Sequence, residues 1–394
     1  MDPRLLIGLL GALVALTPFA IDTYLPGLPA IARDLAASEE SVQWTISIYL
    51  LGFGLGMLIY GPIGDRFGRR PVLLSGIVLF ALASLGCIWV TDIEQLIALR
   101  LIQAIGGGAA SVMPRAIARD VFSDSESARV LTLIAMVTAL APLVAPGIGG
   151  RILLYGDWRD IFTALTVLGV AGLLASWAWI PESMPAEKRG AIRLGAAFLA
   201  YRHILVDGRA LGYIVGGGAM YRALFAYITG TPFVYIEHFG VAPEWYGAFF
   251  AANIAFQLLV SYVNTRFVKR LGIPRISLIA AAVAAAGGTL LLLAGWTGFA
   301  GLWGVVLPLL PIVGVIAMIG ANCTARLMAL YPDNAGAAAA TVGGVMFAAG
   351  ATASFAVGAL HDGTPKALCA VLFAVCATAF LGLWFAVRRE AGEV

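Results

Sequence analysis

The chain has 394 residues but only three lysines, three histidines and four cysteines, and 12% of its residues are charged. Each shortage excludes something. A nucleotide-driven pump needs a phosphate-cradling loop ending in Gly-Lys-Ser/Thr, and none of Lys188, Lys269 or Lys366 has that neighbour, so ATP is not expected as a partner. His203, His238 and His361 fall in expected loops on different sides of a membrane and make neither a metal site nor an acid/base constellation. No cofactor is therefore expected. Cys87, Cys323, Cys369 and Cys376 all sit in apolar runs, where a thiol acts as a small apolar side chain and no disulfide is called for. Charge is the most telling shortage: with 61% hydrophobic residues and a mean hydropathy of +0.92, there is too little polar surface to cover a soluble core.

What is present is a succession of apolar runs of membrane-spanning length, about 20 residues each. Twelve are read, near 5–30, 42–64, 71–91, 96–118, 130–150, 160–181, 210–236, 245–263, 276–295, 301–325, 335–360 and 367–387. The uncharged stretch from Ile276 to Ala325 would reach roughly 75 Å as one helix, against a hydrocarbon core of ~30 Å. It must fold back, at "GWTG" (295–298). A cleaved signal peptide is the alternative for the first run, but the apolar pattern continues past any cleavage point and eleven more spans follow.

Basic residues near span ends stay on the cytoplasmic side. With the N-terminus inside, eighteen lysines and arginines fall on inner segments, and only Arg33, Arg151, Arg159 and Lys366 on outer ones. Both termini are thus placed in the cytoplasm. The net charge of +3 is a topology signal and gives no reason to invoke nucleic acid.

The longest charged connection, 182–209, divides the chain into halves, 1–181 and 210–394. "GDRFGRR" (64–70) and "NTRFVKR" (264–270) repeat an Arg-Phe-x-basic-Arg core, each after the second span of its half, and Trp44 and Trp245 open those spans. The expected fold is an all-α membrane protein of twelve helices in two six-helix bundles. Such a duplication suits a transporter whose halves rock about a central site. "GFGLG" (52–56) and "GGG" (106–108) lie within spans and are read as close helix packing through small residues, not as nucleotide loops.

Asp22 is the one acidic residue in the interior of a span as drawn. Eleven residues of helical rise put it roughly 16 Å below Arg33. Arg100, six residues past Glu94, lies roughly 9 Å below the same boundary, and Arg222, thirteen residues from Arg209, roughly 20 Å in. Intramembrane ionisable groups usually mark a pathway. Each has a plainer reading as well. Pro26 and Pro29 would end the first helix early and leave Asp22 at headgroup level; Arg100 would snorkel to the interface; Arg222 would pair with backbone carbonyls.

The combination of motifs resembles the drug:proton antiporters of the major facilitator superfamily, most closely the Bcr/CflA subfamily of bicyclomycin and chloramphenicol/florfenicol resistance exporters. The likeness covers nearly the whole length. "GPIGDRFGRRP" (61–71) matches the superfamily's signature between the second and third spans, and "IDTYLPGLP" (21–29) the subfamily's first-span motif. "RLIQAIGGGAA" (100–110) resembles the fourth-span motif, and "TPFVYIEHFGVAPEWYG" (231–247) the segment after the seventh span. Ala104 replaces a usual glycine, and "VAPGIGG" (144–150) has Ala145 where the antiporter signature has glycine. Arg222 matches no family motif.

The resemblance implies a monomeric exporter in the bacterial inner membrane that exchanges cytoplasmic drug for external protons. It makes Asp22 the proton- and substrate-coupling acid and Arg100 its electrostatic regulator. Burial favours a neutral acid and a nearby guanidinium the ionised one, so a site balanced between them can exchange a proton near neutral pH. Tyr24, Tyr49, Phe53, Tyr221, Arg222 and Phe225 are candidates for the substrate pocket, with ordinary packing the plainer role for the aromatics. Gly61, Gly64, Asp65, Arg66, Gly68, Arg69 and Arg70 would latch the cytoplasmic side, and Pro146, Gly147, Gly149 and Gly150 would pack the antiporter helix. In the implied cycle, an outward-facing protonated Asp22 releases drug, and its deprotonation inside lets drug bind. A proton-coupled carrier of a small metabolite, or a membrane sensor that transports nothing, would share the architecture.

Overall fold

A computed structural model describes residues 3–185, 187, 202, 204–331, 335–390 and 392. Most of the expected linker, with Lys188, Arg189, Arg193 and His203, lies outside the described residues. The chain divides into two compact units, Met1–Leu194 with Pro243–Gly247, and Gly195–Ala242 with Ala248–Val394.

In the first unit the helices are α1 (Pro3–Asp22), a 3-10 turn (Leu25–Gly27), the short α2 (Leu28–Asp34), α3 (Glu39–Phe67), α4 (Arg69–Cys87), α5 (Ile93–Val121), α6 (Asp124–Tyr155) and α7 (Trp158–Trp179). The second unit holds α8 (Gly208–Pro232), running into a π-helical turn (Phe233–His238), then α9 (Pro243–Leu271), α10 (Ile273–Thr297), α11 (Gly301–Leu330), α12 (Ala335–Ala359) and α13 (Lys366–Glu390). The first turn of α9 belongs with the first unit. Helices are what a chain without polar side chains can form in lipid, because every backbone group is then satisfied within the segment. Among the described residues twelve helices have 19 residues or more, and ten of these are long and apolar enough to cross a membrane.

Several short-loop acids are used up as helix caps. Asp92 accepts from the Gln95 amide at 2.9 Å, and Asp157 accepts from Arg159 while its own amide donates to Asp160 at 3.0 Å. The expected loop at 64–70 is scarcely a loop. α3 runs on through Phe67, and Gly68 alone, at φ +97°, turns the chain into α4. Gly272, at φ +77°, makes the same junction between α9 and α10. Only glycine adopts such a backbone without strain. The run from 276 to 325 folds back at Gly298–Ala300, starting at the last residue of the expected "GWTG". His238 closes a π-helical turn and its Nδ1 donates to the Gly363 carbonyl, 3.1 Å away, so it is not the plain loop residue expected.

α5 is the hub of the first unit, packed on α1, α3 and α4. The run Gly106–Gly108 allows this. A Cβ on Gly106 would stand 2.5 Å from the Phe80 amide nitrogen, and one on Gly108 would stand 2.9 Å from Gly56 Cα. Gly106→Val is therefore expected to push α4 off α5 at a cost of about 1–3 kcal/mol or more. The measurement is the yield of monodisperse protein on size-exclusion chromatography, which should fall severalfold; an unchanged yield and melting temperature would show that this contact is slack.

Candidate functional site

The first helix ends at Asp22, as the two prolines imply, and the chain stays packed there: Asp22 is 3% exposed, and residues 23–29 are all buried. Pro26 starts the 3-10 turn and Pro29 the next helix, so the break happens inside the packed unit. Among the described residues the Asp22 carboxylate has no hydrogen-bond or ion-pair partner. Beyond it, Asp34 accepts from Arg159 Nη1 at 2.7 Å and from Trp158 Nε1 at 3.2 Å, which pins the end of α2 to α7.

Arg100 does not snorkel. It is fully buried, and its Cζ lies 4.1 Å from the centroid of the Tyr49 ring and 4.5 Å from that of Tyr24, with Phe162 at 5.9 Å. Its Nη1 donates to the Ala20 carbonyl at 3.1 Å and to Gln103 Oε1 at 2.6 Å. Gln103 in turn donates to Ser84 Oγ at 2.7 Å. The Ala20 carbonyl is one of those that a helix end leaves unpaired, so Arg100 completes the end of α1 two residues before Asp22. No ion pair joins Arg100 to Asp22 among the described residues. The Tyr49 ring lies directly against the guanidinium. The hydroxyls of Thr17 and Tyr49 share the space left by the missing side chain of Gly107. Tyr24 donates to or accepts from Thr45 Oγ1 at 2.8 Å and meets Phe162 edge-on at 5.6 Å.

Tyr24 and Tyr49 are therefore walls of the Arg100 cage, and Phe53, one turn beyond Tyr49, is 5% exposed. Apolar grooves of about 460 and 420 Å³ lie along α6 and α7 and are lined by neither Asp22 nor Arg100. Of the antiporter-type residues, Gly149 leaves room for the Thr23 carbonyl and Pro26, directly beside the break in the first helix. Gly150 faces the backbone of Pro243 and Glu244; Pro146 is buried and Gly147 partly so.

The signature residues at the other end form a network inside the first unit. Arg69 Nη2 pairs with Asp65 at 2.7 Å and its Nε with Asp120 at 3.1 Å, while its amide donates to Glu182 at 2.9 Å. Ser183 also donates to Asp120, at 3.0 Å, and Arg70 donates to the Trp177 carbonyl at 2.6 Å. Gly64 makes space for Met113 and Arg69, Gly61 touches nothing within 4 Å of where a side chain would start, and Arg66 lies over the exposed Phe67. Arg69→Ala would leave Asp65 and Asp120 without their shared cation. An expected cost of about 1–3 kcal/mol should appear as a lowered melting temperature, larger than for Asp120→Asn; equal melting temperatures would place no weight on the network.

In the second unit α8 packs on α11, α12 and α13. Tyr221, Phe225 and Phe347 form a ring cluster with centroids 6.4, 6.0 and 5.8 Å apart. Arg222, between the first two in sequence, makes no hydrogen bond or ion pair among the described residues. Asn264 and Asn322 exchange amide hydrogen bonds at 3.1 and 3.3 Å between α9 and α11.

The model of the Major Facilitator Superfamily matches residues 10–359. The chain belongs to that superfamily. This superfamily chain is 32% identical to the "Bicyclomycin resistance protein homolog" of Haemophilus influenzae, over 97% of its own length and 96% of the relative's. It is 33% identical to "Uncharacterized MFS-type transporter YdgK" of Bacillus subtilis over 98% and 96%. With "Multidrug resistance protein MdtL" of Escherichia fergusonii it shares 32% over 69% and 68%. Its fold is similar to that of a D-xylose-proton symporter, with a TM-score of 0.77 at 18% identity over 97% and 96% of the two chains. The nucleoside transporter NupG gives 0.76 at 14% over 96% and 98%. The protein is thus a multi-pass secondary transporter of small molecules and not an enzyme.

Reading the superfamily chain by sequence missed several of these partners. Phe347 lies in a run of Ala and Gly, Asp120 and Glu182 stand 51 and 113 residues from Arg69, and Thr17, Thr45, Ser84 and Phe162 had no signal. Arg115, also within α5, was passed over; its Nη1 donates to Ser111 Oγ and the Ser111 carbonyl, both at 2.7 Å.

Proposed function

We propose that this transporter is a drug exporter driven by protons, with Asp22 as the group that exchanges H⁺ for cargo. One observation carries the proposal: a carboxylate buried at a break in the first helix has no partner, while the neighbouring cation is held by a carbonyl, an amide and two rings. An ionised carboxylate in that place is an uncompensated buried charge, which costs several kcal/mol. A proton relieves it, and so does a cargo molecule that donates to it. The two therefore compete, which is the condition for exchange. Each pH unit across the membrane supplies about 1.4 kcal/mol per proton, and each 100 mV about 2.3 kcal/mol.

Drug cargo is supported by the names of two relatives, bicyclomycin resistance over nearly the whole length and multidrug resistance over about two thirds, and by the first-span motif that contains Asp22. The side-chain networks around Asp65 and Arg69 lie at the end that the basic residues assign to the cytoplasm, and we read them as the latch of the alternating cycle. The test is an antibiotic panel on cells with and without the gene, followed by reconstitution of purified protein. A compound that the gene protects against should accumulate in proteoliposomes only under an imposed proton gradient. Protection without any effect of the gradient or of a protonophore would reject proton coupling; no protected compound, together with gradient-driven movement of a metabolite, would reject drug export.

A further inference from the structure

We infer that the second unit carries an anion-binding subsite built on Arg222, so that cargo includes compounds joining an ionised acid to an aromatic or apolar body. The inference rests on the reading of the chain as a small-molecule exporter and narrows its substrate class. Arg222 lies fourteen residues from the start of α8 and ten from its end, or roughly 21 and 15 Å of helical rise. No carboxylate of its own unit stands at that depth. α8, α10, α11 and α12 contain neither Asp nor Glu; α9 has only Glu244, in its first turn, and α13 only Glu390, in its last. Glu390 is taken by Arg326 at 2.9 Å, and Glu237 lies fifteen residues beyond Arg222.

Among the described residues the guanidinium has no counter-charge, and its Nε is buried without a hydrogen-bond partner. Backbone does not replace the missing anion. Pro232 frees the carbonyl of Ile228, but helical side chains lean toward the N-terminus, away from it. The local packing gives the direction in which Arg222 leaves the helix. One turn before it, the Gly218 position looks onto Val345 and Ala349 of α12; one turn after it, Phe225 packs on Gly350 of the same helix. Residues three and four apart share a helix face, so Arg222 emerges beside α12, the helix that contributes Phe347 to the ring cluster with Tyr221 and Phe225. A guanidinium offers donors only, in a planar fork that fits a carboxylate, sulfonate or phosphonate. Rings beside it fit an apolar body. An uncompensated charge at mid-span is costly, and a bound anion removes that cost.

The probe pair is 4-biphenylcarboxylate and 4-biphenylcarboxamide, with equilibrium binding measured on the full chain in nanodiscs at neutral pH and no gradient. Wild type should bind the acid about tenfold more tightly, equivalent to about 1.4 kcal/mol. Arg222→Ala should abolish that preference by weakening the acid and leaving the amide within about twofold, while Arg222→Lys keeps part of it. Arg222→Gln, similar in size and uncharged, serves where the alanine variant does not fold. Equal binding of acid and amide by wild type, no binding of either, or a preference that survives in the neutral variants would overturn the subsite. Because no gradient is used, the two readings fail separately. Acid preference without proton exchange would sink the antiport and keep the subsite, and proton exchange of neutral drugs without acid preference would do the reverse.

Discussion

Asp22→Asn is expected to abolish uphill export while the protein still folds and binds drug. Asparagine has the shape of the protonated acid but holds no exchangeable proton in the cycle. With one proton per drug, two pH units support about a 100-fold gradient of cargo, since each unit is worth about 1.4 kcal/mol. The variant should instead equilibrate cargo to about 1:1 and give no resistance in cells. Stability should change by less than about 1 kcal/mol, because Asp22 has no partner among the described residues to lose. Proteoliposomes loaded at one pH and diluted into another give the gradient directly, and a melting curve gives the stability. Accumulation near the wild-type level would remove Asp22 from coupling. A large loss of stability would make it a structural residue after all.

Arg100→Ala should be the most damaging single change to the first unit. The guanidinium fills a buried space between Tyr24 and Tyr49 and bonds the Ala20 carbonyl and Gln103. Its removal opens a cavity and strands two polar atoms, an expected cost of about 3–5 kcal/mol. Transport should fall at least about tenfold, because the end of α1 that places Asp22 is no longer held. Arg100→Lys separates charge from shape. Lysine keeps the positive charge but not the planar stack or the forked donors, so it should recover much of the stability and little of the transport. Full recovery of transport by lysine would mean that long-range charge is all that Arg100 supplies. No loss in either variant would contradict the cage as a working part.

The spans were legible because lipid imposes one simple rule, long apolar runs bounded by charge, and ten of the twelve long helices among the described residues obey it. The break after Asp22 was also written locally, in Pro26 and Pro29. What those prolines could not show is that the residues after them stay buried, since that depends on Gly149 of α6 and on Trp158 and Phe162 of α7. Arg100 shows the same limit. Its depth followed from counting residues, and depth alone suits an arginine that reaches the interface. The rings that hold it in place come from three other segments, so the cage exists only once the bundle is packed. Arg69 has its i−4 partner Asp65 in its own motif, visible at once; Asp120 and Glu182 are distant in sequence and were not. Phe347 is a single aromatic in a run of small residues, where periodicity carries almost no signal.

The most direct measurement is proton release on drug binding, followed with a pH dye in weakly buffered solution on purified protein across the neutral range. Wild type should release close to one proton for each drug molecule bound at a pH where Asp22 is protonated, and the Asp22→Asn protein should bind the same drug and release none. Equal release from both proteins, or tight binding to wild type with no release at any pH, would contradict the account.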